Sequence, residues 1–80
     1  MSNKTIEERV IEVIADQLGF EPSEVSPTSN LIEDLQADSL DEVECTMAIE
    51  EEFNIEITDD EYTHFKIVQG IVDLVKSKLP

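Results

Sequence analysis

Residues 40–53 read LDEVECTMAIEEEF, and the element that they form decides the fold. The stretch has no Gly or Pro and is rich in residues with high helix propensity. We therefore predict a helix here, the second of the chain. At 100° per residue its apolar side chains divide into two sets. The set on the natural core face is Cys45, Ala48, Ile49 and Phe53. The second set is Leu40, Val43 and Met47, and beside it lie Glu44, Glu50 and Glu51.

A helix that buries a single face does not need the second apolar set. One interpretation is an exposed apolar patch rimmed by carboxylates, which suits docking on a basic surface with an apolar centre. The alternative is that both sets belong to the core, and the helical periodicity alone leaves both interpretations open.

The remaining sequence predicts three further helices and one long connection. Apolar residues at steps of three and four predict a first helix, Ile6–Leu18, which begins at a Thr5/Glu8 capping box and ends at Gly19. Residues 20–38 predict a loop with a short turn at 22–25 and apolar anchors at Phe20, Val25, Leu31, Ile32 and Leu35. The Thr58/Glu61 spacing predicts a short third helix over residues 59–64. The last predicted helix carries Val68, Ile71, Val72, Val75 and Leu79. The fold class is all-α, a four-helix bundle with three major helices.

Length and charge limit the function. Eighty residues form one domain, 1–80, which is too small for a deep catalytic cleft. The chain has 20 acidic and 5 basic residues, and residues 10–65 hold 17 of the acids and no Lys or Arg. This charge disfavours binding to nucleic acid or to anionic membrane surfaces and predicts basic partners. With no long apolar stretch and no secretory signal pattern, the expected location is the cytoplasm.

Ser39 is the candidate for chemical modification. It stands where the second helix begins, so we expect an accessible hydroxyl beside free backbone N–H groups and the positive end of the helix dipole. Ser39 followed by Glu42 also has the spacing of a capping box, which stabilises a helix with no further function. From the spacing alone, the cap is the simpler interpretation.

Residues 33–44, EDLQADSLDEVE, resemble the signature of acyl carrier proteins, in which the Ser of Asp-Ser-Leu accepts 4′-phosphopantetheine. Residues 6–10, 17–19, 47–57 and 68–69 are also similar to this family, so the resemblance covers most of the chain. It implies a four-helix bundle with a short third helix, and phosphopantetheine attached to Ser39. It further implies that helix two docks on successive enzymes. The implied partner-binding residues are Asp38, Leu40, Asp41, Val43, Glu44, Met47, Glu50, Glu51, Glu56, Ile57 and Asp59.

The chain departs from the family pattern at a few positions. Gln36 replaces the usual Gly before Ala-Asp-Ser, which bears on the turn before the helix. Cys45 stands where a core Leu is usual, and Thr58 where Pro often precedes the third helix. Residues 65–67, Phe-Lys-Ile, replace a segment that commonly ends in two Thr, so the last helix should lack a side-chain cap.

The resemblance implies a non-enzymatic, monomeric carrier of acyl thioesters in fatty acid biosynthesis. Its partners would be a phosphopantetheinyl transferase and basic-surfaced acyl-transfer enzymes. A carrier of a specialised pathway, or an acidic interaction module without a prosthetic group, is the alternative. Catalysis by Cys45 with His64 is disfavoured because Cys45 lies on the predicted core face. No acidic stretch matches a calcium loop, so no metal site is predicted. A bound acyl chain could fold between helices lined by Ile14, Ile49, Phe53, Ile57 and Ile71.

Overall fold

The computed structural model describes residues 4–61 and 66–79 and has an all-α fold, as predicted. Its elements are α1 (Ile6–Leu18), a 3₁₀ helix (Pro22–Glu24), α2 (Ser39–Phe53) and α3 (Val68–Lys78). The short turn predicted near residues 22–25 is this 3₁₀ helix. The Thr58/Glu61 hydrogen bonds expected at the start of the short third helix are present, but residues 62–65, where that helix is predicted to continue, lie outside the described part of the chain.

α1 begins and ends where its sequence predicts. The Thr5 hydroxyl accepts the Glu8 N–H at 3.1 Å, and the Glu8 carboxylate accepts the Thr5 N–H at 2.9 Å, which completes the capping box. Hydrogen bonding to Thr5, chiefly from its backbone N–H, holds the pKa of the Glu8 carboxyl below its usual value. Gly19 ends the helix at φ 80°, a conformation that favours glycine.

The three helices and the long loop share one core. α2 contributes the set predicted for its inner face, with Cys45, Ile49 and Phe53 buried and Ala48 half-buried. Thr46 is also buried, and its hydroxyl donates a hydrogen bond to the Glu42 carbonyl. This local hydrogen bond allows a polar residue to lie at the flank of the helix. The other fully buried large side chains are Val10, Ile14, Leu31, Val68, Ile71, Val72 and Val75.

The long loop is anchored by Val25, Leu31 and Leu35, which are buried as predicted. The prediction for Ile32 is wrong, because its side chain is 48% exposed. The Asn30 side chain accepts the N–H groups of Ile32 and Glu33, and this tight turn places Leu31 inward and Ile32 outward.

The loop also holds the start of α3. Leu31 N–H donates to the Lys66 carbonyl, Val68 N–H to Ser29 and Gln69 N–H to Pro27, at 2.8 to 3.1 Å. As predicted, α3 has no side-chain cap at its first residue. Its first N–H groups are satisfied by loop carbonyls instead, so the loop and α3 depend on each other.

Arg9 joins α1 to the end of α2. Its guanidinium donates to the Glu52 side chain at 3.0 Å and to the Glu52 carbonyl at 3.2 Å, and it lies 4.4 Å from the centre of the Phe53 ring. The pair is exposed, so its ionic part contributes little to stability, and the contact chiefly orients the two helices.

Candidate functional site at the start of α2

The first turn of α2 is capped by Asp38. The capping-box interpretation of the sequence placed the cap one residue later, at Ser39. The Asp38 carboxylate accepts the Asp41 N–H at 2.8 Å, and the Asp41 carboxylate accepts the Asp38 N–H at 3.1 Å. The helix therefore begins at Ser39. The interpretation of Ser39 as the cap is wrong, because that position belongs to Asp38.

Ser39 is the first helical residue, and its side chain is exposed. Since Asp38 supplies the cap, the Ser39 hydroxyl is not needed to stabilise the helix. Asp41 N–H is used by the capping box, and in residues 4–61 and 66–79 no acceptor is found for the N–H groups of Ser39 and Leu40. Two backbone donors therefore remain beside the hydroxyl, where they can receive an anionic group.

The residues before α2 hold this turn against the core. Leu35 and Ala37 are buried, and Ala37 N–H donates to the Leu31 carbonyl at 2.8 Å. Between them, Gln36 adopts φ 59°, the left-handed region that a Gly would occupy at lower cost. Gln36 therefore bears backbone strain that a Gly at this position would avoid.

The second apolar set of α2 is exposed, which decides between the two interpretations of that helix. Leu40 is 65% exposed, Met47 56% and Val43 45%. Glu44 and Glu51 are exposed beside them. The interpretation that both sets belong to the core is wrong, since the second set lies in water.

The predicted partner-binding residues fall into two groups. The exposed group is Asp38, Leu40, Val43, Glu44, Met47, Glu51, Glu56 and Asp59. Asp41, Glu50 and Ile57 are half-buried, and each takes part in a hydrogen bond within the chain. Glu50 and Ile57 are bonded to each other, because the Glu50 carboxylate accepts the Ile57 N–H at 2.8 Å.

A second internal contact lies between residues 58–61 and α3, and the sequence offered no signal for it. The Lys78 ammonium contacts the Glu61 carboxylate at 2.8 Å. That carboxylate also accepts the Thr58 N–H at 3.0 Å. The hydrogen bond from Lys78, followed by that from Thr58, lowers the pKa of Glu61 to about 2.

Cys45 has the surroundings of a core residue. Its side chain is fully buried, and burial, with smaller effects of Asp41, Glu44 and Glu42, raises its thiol pKa to about 11. A thiol with this pKa is protonated at neutral pH and is a weak nucleophile. The other residue of the catalytic alternative, His64, lies outside the described residues.

The described part of the chain has no group of three or more potential metal ligands. None of the helices within it is long and apolar enough to cross a bilayer.

Comparisons with known proteins identify the family. The family model described as a phosphopantetheine attachment site matches residues 8–75. An acyl carrier protein from Thermosynechococcus vestitus is 46% identical over 79 residues, which cover 99% of this chain and 98% of the relative. The chain belongs to the acyl carrier protein family. Its prosthetic group is phosphopantetheine, and the matched region includes the start of α2. An exposed hydroxyl beside unused N–H groups fits a phosphodiester at that place.

Proposed function

We propose that Ser39 carries the phosphopantetheine and that the chain delivers acyl groups between enzymes of fatty acid biosynthesis. The observation that supports Ser39 is the Asp38/Asp41 capping box, because it leaves the neighbouring serine exposed and without a structural task. In this proposal the whole chain is a single, monomeric, non-enzymatic carrier domain that works in the cytoplasm.

The residues around Ser39 have distinct tasks. The bound group supplies a thiol on a long flexible arm, to which acyl groups are attached as thioesters. Asp38 fixes the first turn, so the hydroxyl points from a defined position. The N–H groups of Ser39 and Leu40 and the helix dipole favour the phosphate charge. The Asp38 and Asp41 carboxylates oppose that charge, but each already accepts a backbone N–H, which offsets part of the repulsion.

The exposed face of α2 is the proposed docking surface for partner enzymes, of which one is the phosphopantetheinyl transferase. Its apolar centre is Leu40, Val43 and Met47, and burial of such side chains on a partner is favourable at roughly 25 cal/mol per Å² of apolar surface. The surrounding carboxylates steer basic surfaces toward it and set their orientation. These carboxylates are Asp38, Glu44, Glu51, Glu56 and Asp59.

The test is intact mass after incubation of the purified apo chain with coenzyme A and a broad-specificity phosphopantetheinyl transferase. The expected result is one added phosphopantetheine on the wild type and on Ser23→Ala, an exposed serine of the 3₁₀ helix, and none on Ser39→Ala. Because Asp38 provides the cap, Ser39→Ala should fold normally, and its circular dichroism checks this. Modification of Ser39→Ala, or no modification of folded wild type, would contradict the assignment of Ser39.

A further inference from the structure

The segment that follows α2, residues 54–61, is held by Glu50 in its first half and by Glu61 at its end. At its start, Glu50 accepts three backbone N–H groups. Its carbonyl accepts those of Asn54 and Ile55, the latter at 3.1 Å, and its side chain accepts that of Ile57 at 2.8 Å. At its end, Glu61 contacts Lys78 of α3 at 2.8 Å. We call residues 54–61 the strap.

Residues 55–58 of the strap belong to no helix or strand, and their side chains alternate between half-buried and exposed. Ile55 and Ile57 are half-buried and pack against the core, whereas Glu56 and Thr58 are exposed. This is the period-two pattern of an extended chain lying on an apolar surface. The position of Ile57 therefore decides which way the Glu56 carboxylate faces.

Glu50 differs from its neighbours on α2. Glu51 and Glu52 are exposed, while Glu50 is half-buried and its side chain is directed toward the strap. A carboxylate that accepts a backbone N–H of the same chain has less capacity to accept one from a partner, and part of the surface of Glu50 is already covered. In the sequence Glu50 is one of three consecutive glutamates, so the sequence alone does not reveal this difference.

We propose that Glu50 is a positioning residue that acts inside the chain, holding the strap where Glu56 and Asp59 meet a basic partner, and that it does not contact the partner itself. The inference rests on the proposed docking surface and assigns different tasks to two adjacent glutamates. Glu51 supplies charge to the partner, and Glu50 supplies a hydrogen bond to Ile57.

Amide and alanine substitutions separate these tasks. Glu50→Gln keeps an oxygen that accepts the Ile57 N–H but removes the charge, whereas Glu50→Ala removes both. Glu51→Gln and Glu51→Ala are the matched controls, because at an exposed docking charge the two substitutions remove the same interaction. The assay is the KM and kcat for phosphopantetheine transfer by the transferase at low salt, since every chain with this attachment site must meet that enzyme.

The expected result is that Glu50→Ala raises KM about fivefold with kcat unchanged, which corresponds to one net hydrogen bond, and that Glu50→Gln stays within about twofold of wild type. For Glu51 the two substitutions should raise KM by the same factor. The exchange rate of the Ile57 amide gives an independent readout, and it should rise in Glu50→Ala but not in Glu50→Gln or Glu51→Ala.

Equal increases in KM for Glu50→Gln and Glu50→Ala would show that the charge contacts the partner and would overturn the proposal. No increase for Glu50→Ala would also overturn it. A general loss of stability is excluded by measuring the melting temperature of Glu50→Ala and running the assay well below it. Failure of wild type to be modified at all would instead contradict the proposed function.

Discussion

The first turns of α2 and α3 satisfy their backbone N–H groups in different ways. Both helices must satisfy backbone N–H groups that have no partner within the helix. At α2 the partner is the side chain of Asp38, three residues from the N–H that it accepts. At α3 the partners are carbonyls of Pro27 and Ser29, about forty residues earlier in the chain.

This difference in capping separates the candidate functional site, at the start of α2, from the contacts between distant segments that hold the start of α3. Because the cap of α2 is local, its first turn keeps its shape while its surface stays exposed to solvent. No other segment of the chain has to cover the candidate attachment site. The start of α3 is covered by the loop and has no exposed site of this kind. Substitutions at the start of α2 should therefore have local effects, and substitutions in the loop should reach α3.

The largest effect is expected for Leu31→Ala in the loop. The Leu31 side chain is fully buried, so its truncation should lower the free energy of unfolding by about 2 to 5 kcal/mol. Its backbone N–H donates to the Lys66 carbonyl, which joins the loop to the start of α3. Urea denaturation measures this change. The Val68 and Gln69 amides should exchange faster, while the Asp41 amide should keep its exchange rate.

Ile32→Ala is the matched control, because the adjacent side chain is exposed and its loss should change stability by less than about 1 kcal/mol. If the Asp41 amide lost protection together with that of Val68, the independence of the two helix starts would be wrong.

A smaller effect is expected at the start of α2 itself. Asp38→Ala removes the cap and should lower stability by about 1 kcal/mol, whereas Ser39→Ala should change it by less than about 0.5 kcal/mol. Thermal and urea denaturation of the two variants measure the difference. A cost for Ser39→Ala as large as that for Asp38→Ala would restore Ser39 as the cap.

A stabilising effect of similar or smaller size is expected at the turn before α2. Gln36 has φ 59°, so Gln36→Gly removes strain but adds freedom to the unfolded chain, and the net gain should be about 0.5 to 1 kcal/mol. Asn54→Gly is the control: Asn54 has φ 54°, but Asn tolerates this region, so the gain should be smaller. A loss of stability in Gln36→Gly would mean that the glutamine side chain makes a compensating contact.

The smallest change in stability is expected at the end of α3, where the Lys78 ammonium contacts the Glu61 carboxylate. The pKa of Glu61 is about 2 in the folded chain and is lowered from 4.5, so its ionised form is stabilised by folding. Wild type should therefore be more stable than Glu61→Gln above pH 4.5. This difference should shrink as the pH falls toward 2 and Glu61 is protonated. Urea denaturation of both chains across this range measures it, and a difference that stayed constant with pH would show that the charge of Glu61 has no part in it.

The sequence was sufficient where a pattern is local. The bounds of α1 follow from its apolar spacing, its capping box and Gly19, and the structure confirms them. Helical periodicity also separates Leu40, Val43 and Met47 from the core set, but only the structure shows that they are exposed. Ser39 was found as a candidate through the motif around it, together with its place at the start of a helix.

The sequence was insufficient where two local solutions compete or where residues distant in sequence meet. Asp38/Asp41 and Ser39/Glu42 have the same capping spacing, and only the structure shows that Asp38 is the cap. The inner position of Leu31 and the outer position of Ile32 depend on the Asn30 turn, which an apolar pair does not reveal.

By itself, the sequence determined the all-α fold, the division of the α2 apolar side chains into two sets, the acidic charge and the family. These depend on periodicity, composition and motif, which act over a few residues. Only the tertiary structure decided which residue caps α2, how α3 begins without a side-chain cap, and that Glu50 bonds to the strap while Glu51 faces water. Those outcomes depend on hydrogen bonds and burial between segments, whose geometry exists only after the helices have packed.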